Sequence, residues 1–536
     1  MAFTFQINND LVFKHDDRLL KKAEANKPEI LTRILRPKRF VKVIPDSTKM
    51  MGWGVSDDDS EKTIGCGMKD IRDLTWKRGE KFILDFGDHV VGRIGMDIRS
   101  VGSPMDAPLT VRFRFAEIPA ELMSRPEEYD GWLSSSWIQE EVIHLDILPA
   151  RLDLPRRYSF RYVEILVKDT SPKWAAAFSD IYVIGESSAD RDHFEPAKFE
   201  DPELQRIYDV SVKTLEDCMQ DVFEDGPKRD RRLWLGDLRL QALANYASFK
   251  NSSLVRRCLY LFAAMTAEDG SIPACVFTKP VDMPDDTFLF DYSLFFTTVL
   301  RDYLAQEFTT RKEEVLEDLY PAAKKQMELA FEKVNAEGFL VQDEDRPVFI
   351  DWSGAFDKNT AGQAVMIYTT GHLIELAKLK QDPDLPKYEK LLERMTAYAR
   401  EQLFDPGKGF FVSGPEREIN IASQVWMVLA GVPDQEESHA LMRRTVDELF
   451  PILGIATPYM YHHVDHALFK AGLQEEGIRL MKDYWGKMVS LGADTYWEAF
   501  EPENADYSPY GDPIISSFCH AWACTPVWLL EQYLVH

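Results

Sequence analysis

At 536 residues the chain is too long for one hydrophobic core, and two or three domains are expected. With 45% hydrophobic and 28% charged residues it has the make-up of a folded globular protein and not of a disordered one. A formal net charge of -26 repels phosphate backbones and anionic bilayers, so no nucleic-acid or membrane partner is expected, and an uncharged small molecule fits.

The N-terminus, Met1 to Asp10, has no basic stretch leading into an apolar core, and no apolar run is long enough to span a bilayer. Cys66, Cys218, Cys258, Cys275, Cys519 and Cys524 are scattered without CxxC spacing, which predicts reduced thiols in a cytoplasmic protein and no zinc site.

Residues 1–40 read as an N-terminal segment with a short helix over Asp17 to Asn26. Residues 41–190 change to short β-type runs that begin at Arg39, Lys81, Thr110, Val142, Tyr158 and Ile181. Their period-two alternation and Gly, Pro and Asp turns predict an antiparallel β-sandwich. The polar stretch from Gly185 to His193 reads as a linker. Residues 191–536 are helical. Asp201 is a good N-cap with Pro202 at the first helical position, and Leu204, Ile207, Tyr208, Leu215, Cys218, Met219 and Val222 share one face. About twelve helical segments are predicted, starting near residues 201, 237, 252, 289, 311, 359, 384, 420, 435, 459, 473 and 513. Twelve antiparallel helices suggest six hairpins closed into an (α/α)6 barrel with a concave mouth. The absence of a repeated signature weighs against a solenoid.

Two stretches carry candidate chemistry. Asp225 to Asp237 is a loop holding Asp225, Asp230 and Asp237, with Arg229, Arg231 and Arg232 to pair with them and Trp234 to stack on a sugar ring. A solvated turn, with Asp237 capping the helix from Leu238, is the plainer alternative. Gly492 to Asn504 holds Glu498, flanked by Tyr496, Trp497 and Phe500. Partial desolvation there should raise its proton affinity; Glu501 and Glu503 read as surface charges. In a closed ring the first and last hairpins are neighbours, so the two stretches can face one pocket. Two carboxylates across a pocket are the minimal equipment for glycoside hydrolysis. Asp351 and Trp352 either line the mouth or end a strand-like segment. Asp291, Tyr292 and His520 are candidates for holding sugar hydroxyls, with a satisfied core histidine as the alternative for His520. Asp57 to Asp59 reads as a solvated turn. His462, His463 and His466 lack the glutamate of HExxH, so no metal or other cofactor is expected.

On Asp225, Pro227, Arg229, Asp230, Trp234, Gly236 and Asp237 the chain resembles the α-L-rhamnosidases of glycoside hydrolase family 78. Trp497-Glu498, Ser517, His520 and the β-rich segment from Leu84 look like further elements of that family, so the resemblance covers about residues 80 to 536. It implies a β-sandwich ahead of an (α/α)6 barrel and inverting release of terminal α-L-rhamnose from small glycosides. In this reading Asp230 is the general acid and Glu498 the general base. Asp225, Arg229 and Asp237 belong to the sugar-binding set. Trp234 and Trp497 form the apolar wall for the methyl group of a 6-deoxy sugar. Gly226 stands where the family commonly has Cys, and Asp230 where many members have the longer Glu. Arg231 places a cation beside Asp230, which favours the ionised form. No C-terminal β-sandwich is expected after the last helix. The exact sugar and aglycone stay open, and a homodimer is compatible with the sequence. The alternatives are another glycosidase or a sugar phosphorylase on the same barrel, or a catalytically silent carbohydrate-binding protein. A polyuronate lyase is disfavoured by the acidic charge and by the lack of a Tyr or His base in the motif.

Overall fold

The computed structural model describes residues 11–535 and shows a β-rich domain followed by a helical one. After β1 (Phe13–His15) and α1 (Asp17–Ala25), nine strands form one antiparallel sheet system: β2 (Leu31–Leu35), β3 (Arg39–Pro45), β4 (Trp53–Asp57), β5 (Lys81–Gly102), β6 (Leu109–Ala116), β7 (Glu140–Leu145), β8 (Ala150–Asp153), β9 (Tyr158–Asp169) and β10 (Trp174–Ser187). β5 is the spine. Its first residues pair with β3 and β9, and its last with β8 and β10. The register shifts between Asp85 and Val90, and Gly87 sits in this irregularity at a φ of 85°, which a residue with a side chain tolerates poorly. Alternation sends Phe82, Leu84 and Phe86 inward, where Trp76 packs on Phe82 with ring centres 4.1 Å apart. One helical turn, α2 (Ala120–Met123), follows β6.

The helical domain runs through α3 (Pro202–Cys218), α4 (Leu235–Tyr246), α5 (Ser252–Ala264), α6 (Phe290–Ala305), α7 (Lys312–Phe331), α8 (Asn359–Lys380), α9 (Leu385–Tyr398), α10 (Ile421–Leu429), α11 (Gln435–Leu449), α12 (Pro458–Lys470), α13 (Gln474–Met481), α14 (Lys487–Ser490) and α15 (Pro526–Tyr533). Asp201 caps α3 by accepting from the backbone N–H groups of Glu203 and Leu204. Helix α4 packs on α6, α6 on α8, α8 on α10 and α10 on α12, while α15 touches both α12 and α4. Each of these also packs on a second helix: α5, α7, α9, α11, α13 and α3 in the same order. Every residue of α4 and α10 is buried, whereas α9 and α11 bury a single face.

Two expectations change. The helix read near 513 is only a 3₁₀ turn, Pro513–Ile515, and the last helix starts at Pro526. Backbone groups in between are taken by tertiary bonds, Ser517 N–H to Glu498, Phe518 N–H to Glu117 and His520 N–H to the Tyr496 carbonyl, so no helix can use them. The segment ahead of residue 41 also divides. β2 and β3 already belong to the sheet, while α1 packs on α5 and β1 pairs with Met265–Ala267 of the helical domain.

Buried charges join the domains. The ammonium of Lys228 donates to Glu121 of α2 and to the carbonyls of Ile514 and Ser516. Arg161 of β9 donates to both oxygens of Asp85 and, at 2.6 Å, to Asp494 of the helical domain. Lys228→Met removes the cation and leaves Glu121 buried without it. It is expected to destabilise the protein by about 3–5 kcal/mol, visible as a marked fall in thermal midpoint; a midpoint equal to that of the wild type would refute this role.

Candidate active site

The cleft opens where the β-rich domain meets the helical one. It takes Asp225, Arg229, Asp230 and Trp234 from the loop between α3 and α4, and Asp237 from the first turn of α4. The loop is closed on itself. The Asp225 carboxylate accepts the Arg232 N–H at 3.0 Å, and the Asp225 N–H donates back to the Arg232 carbonyl. Gly226 of this loop and Gly236 in the first turn of α4 are both forced. A Cβ on Gly226 would stand 2.5 Å from Ser517 Oγ and 2.9 Å from the Arg229 carbonyl, and one on Gly236 would meet the Tyr292 ring at 2.3 Å.

Arg229 sits in the middle. Its Nη2 donates to Glu498 Oε2, its Nη1 to Asp230 Oδ1 at 3.3 Å, and its Nε to the Ile515 carbonyl at 3.0 Å. Its guanidinium lies 4.3 Å from the centre of the Tyr510 ring. Glu498 also accepts from the Tyr510 hydroxyl on Oε1 and from the Ser517 N–H on Oε2. Burial by itself would raise the Glu498 pKa, as its aromatic neighbours led us to expect. The charge of Arg229 outweighs burial, helped by His520 and the Arg229 and Tyr510 hydrogen bonds, and holds it at about 2. Arg229 is the cation hydrogen-bonded to Asp230, and the charge of Arg232 also acts on it. Arg231, with φ at 61°, turns away and donates to the carbonyls of Pro227 and Arg157.

The other two motif acids behave oppositely. Burial, then the charges of Asp230 and Asp237, push the Asp225 pKa well above the ordinary carboxylate range. Burial also raises that of Asp237, against the pull of His520, whose Nε2 lies 3.1 Å from Asp237 Oδ1. His520 lines the cleft, and its Nδ1 has no protein partner among the described residues, so a hydroxyl there would complete it.

Trp234 and Trp352 both line the cleft. Three other candidates do not. Trp497 is 1% exposed and packs into the core against Phe500 and Phe518; the chain turns Glu498 to the cleft and Trp497 away from it. Asp291 accepts the backbone N–H groups of Phe349 and Ile350 at 2.9 and 3.0 Å, which fixes Ile350 at a φ of 52°, an unusual value for a β-branched residue. Asp351 accepts from the N–H groups of Ser353 and Ala456 and from the Thr457 hydroxyl. Asp291 and Asp351 thus brace the wall that presents Phe349 and Trp352. Tyr292, named from sequence, does line the cleft, as do the unforeseen Tyr510, Trp522, Trp132 and Leu133. The only sequence signal for Tyr510 and Trp132 is an aromatic beside a glycine in a turn-rich loop.

Among the described residues, His89, Asp217 and Cys519 have metal-ligand spacing. Both His89 nitrogens are already taken, by Asp217 at 2.6 Å and by Glu117 at 3.2 Å, and Lys213 bonds Asp217. Burial drives the Cys519 thiol pKa well up, so this cluster is an ion-pair network joining the two domains.

The family model described as the glycosyl hydrolase family 78 α-rhamnosidase N-terminal domain matches residues 37–184, and that described as the bacterial α-L-rhamnosidase 6 hairpin glycosidase domain matches residues 197–534. The chain belongs to glycoside hydrolase family 78. Among solved structures, a rhamnosidase from Klebsiella oxytoca with rhamnose bound is 42% identical, with a TM-score of 0.92 over 97% of this chain and 99% of that one. The family 78 rhamnosidase of Bacillus sp. GL1 shares the fold at 20% identity and a TM-score of 0.70, over 84% of this chain and 46% of that one. The α-L-rhamnosidase of Streptomyces avermitilis complexed with L-rhamnose does so at 16% and 0.62, over 94% and 44%. No curated protein gives a match. This family 78 member is accordingly a rhamnosidase, a glycoside hydrolase.

The crowding at Gly226 makes a prediction. Gly226→Ala must displace Ser517, whose N–H holds Glu498, and is expected to destabilise by about 1–3 kcal/mol while lowering turnover; thermal unfolding and initial rates measured side by side would show both, and an unaffected variant would mean that the loop yields freely.

Proposed function

We propose that this rhamnosidase cleaves terminal α-L-rhamnosides of small glycosides with inversion, in the cytoplasm, with Asp230 as general acid and Glu498 as general base. The observation that carries the reading is that one guanidinium, that of Arg229, hydrogen-bonds both carboxylates. Two acids on opposite arms of one guanidinium lie within about 8 Å of each other, and an inverting pair uses roughly 6.5–9.5 Å to leave room for a water. Glu498, held ionised, keeps a lone pair on Oε1 free for that water. Asp225 and Asp237, whose proton affinity burial raises, are placed to hydrogen-bond sugar hydroxyls.

In this mechanism Asp230 protonates the glycosidic oxygen as the bond to the anomeric carbon breaks. Glu498 takes a proton from the water that attacks the other face. Trp234 and Trp352 give the deoxysugar its apolar wall. The ring of helix contacts, α4 through α12 and back by α15, supports an (α/α)6 barrel with the cleft at its mouth, and the nine-stranded antiparallel system of β2 to β10 supports a β-sandwich. All six cysteines are free, and Cys218 and Cys519 stay unbonded with sulfurs 3.9 Å apart, which supports a reducing compartment. The bound rhamnose of the Klebsiella oxytoca enzyme supports the sugar.

With 4-nitrophenyl α-L-rhamnoside, Asp230→Asn and Glu498→Gln are each expected to lower kcat by about 10²–10⁴ while remaining folded. Proton NMR of the first-formed sugar should show the β-anomer, whereas an α-anomer would overturn inversion. The pH profile gives a second test. Arg229 holds the Glu498 pKa down, so its removal leaves burial to raise it. The acid limb of kcat/KM is expected to move up by roughly 1–3 pH units in Arg229→Met, and by less in Tyr510→Phe. An unmoved acid limb would assign that limb to another group.

A further inference from the structure

The cleft is not built by the helical domain alone. Trp132 and Leu133 reach it from the loop between α2 and β7 of the β-rich domain. Trp132 is 51% exposed, yet its orientation is fixed. Its indole N–H donates to the Pro509 carbonyl at 3.2 Å, and its backbone N–H to the Tyr510 carbonyl at 3.3 Å. Its ring centre lies 5.5 Å from that of Tyr510, whose other neighbour is Trp352 at 5.7 Å. The loop has been shaped to bring it there. A Cβ on Gly131 would stand 2.4 Å from the Tyr129 hydroxyl, and one on Gly511 would touch Gly131 Cα at 3.8 Å, so the two loops are in contact. A scattered surface tryptophan needs no explanation. A half-exposed one, held by two hydrogen bonds across a domain boundary and facing a cleft, is a preformed flat surface.

Its place identifies what would lie on it. Asp230 is the open acid of the site: its side chain is 14% exposed, against 3% for both Glu498 and Asp237. The general acid stands beside the leaving oxygen, so the open side of the cleft is the side of the leaving group. Trp132, half exposed, lines this cleft, as do the apolar Leu133 and Leu289. We propose that Trp132 is the platform on which the leaving group stacks, and that it selects α-L-rhamnosides with a planar aromatic aglycone. This rests on the assignment of Asp230 as general acid.

The test compares kcat/KM for 4-nitrophenyl α-L-rhamnoside and methyl α-L-rhamnoside in the wild type, Trp132→Ala and Trp132→Phe. Stacking predicts that Trp132→Ala loses about three- to tenfold more on the aryl than on the methyl substrate, mainly through KM, and that Trp132→Phe regains most of it. Equal losses on both substrates, or a shifted acid limb, would mean that Trp132 acts only by holding Tyr510 against Glu498, and would overturn the platform. A wild type inactive on both substrates would overturn the reaction instead. The platform is then decided by a crystal structure of Asp230→Asn with 4-nitrophenyl α-L-rhamnoside, which either shows the aryl ring stacked on Trp132 or shows it elsewhere.

Discussion

One buried cation, the guanidinium of Arg229, is what the geometry of the cleft hangs on. Bringing a guanidinium out of water costs several kcal/mol, so it survives only where nearly every N–H finds a partner. Here the partners are Glu498, Asp230 and the Ile515 carbonyl, with the Tyr510 ring beneath. A lysine would supply the charge but not the planar fork that reaches two carboxylates and a carbonyl at once. Its neighbour Lys228 shows the contrast. It works as a point charge, taking the carbonyls of Ile514 and Ser516 on either side of the one that Arg229 takes. Residues 228–229 thus stitch the 514–516 turn in place, and that turn leads directly into Ser517, whose N–H holds Glu498.

The same cation divides the acids into two kinds. Glu498, in contact with it, is ionised down to about pH 2. Asp225 and Asp237, buried out of its reach, are pushed the other way. Carboxyl groups pushed apart in this manner give one pocket acids of unlike proton affinity.

Much of this was legible in the residues. The strands with clear alternation, such as β6 and β9, and the helices with a stripe of apolar positions, such as α3, were found close to their true bounds. β2, β4 and β8 were not, because they are short and partly exposed, so alternation has little to act on. The loop from Asp225 to Asp237 was legible because all its acids and glycines lie within a few residues of one another. Trp497 misled because sequence adjacency to Glu498 says nothing about which side of the chain faces the cleft. Tyr510 and Trp132 escaped because they meet across 377 residues of chain, through the bond from Trp132 to Pro509. The ionisation of Glu498 escaped for a similar reason, since the residue that decides it lies 269 positions away.

The first helix carries a consequence for how the molecule comes into being. α1 and β1 are made before any strand of the sheet, yet their partners lie in the helical domain, with Lys14 bonded to the Glu268 carbonyl 254 residues later. On a ribosome the sheet can close while this leading segment still hangs free. Only when α5 has emerged can α1 fold back past the finished sheet and dock. The leading segment therefore works as a late clasp, and the helical domain is not one continuous length of chain. Cutting the gene between sheet and helices would separate α5 from the helix that covers it, and a helical fragment would expose that apolar face to water and to its neighbours.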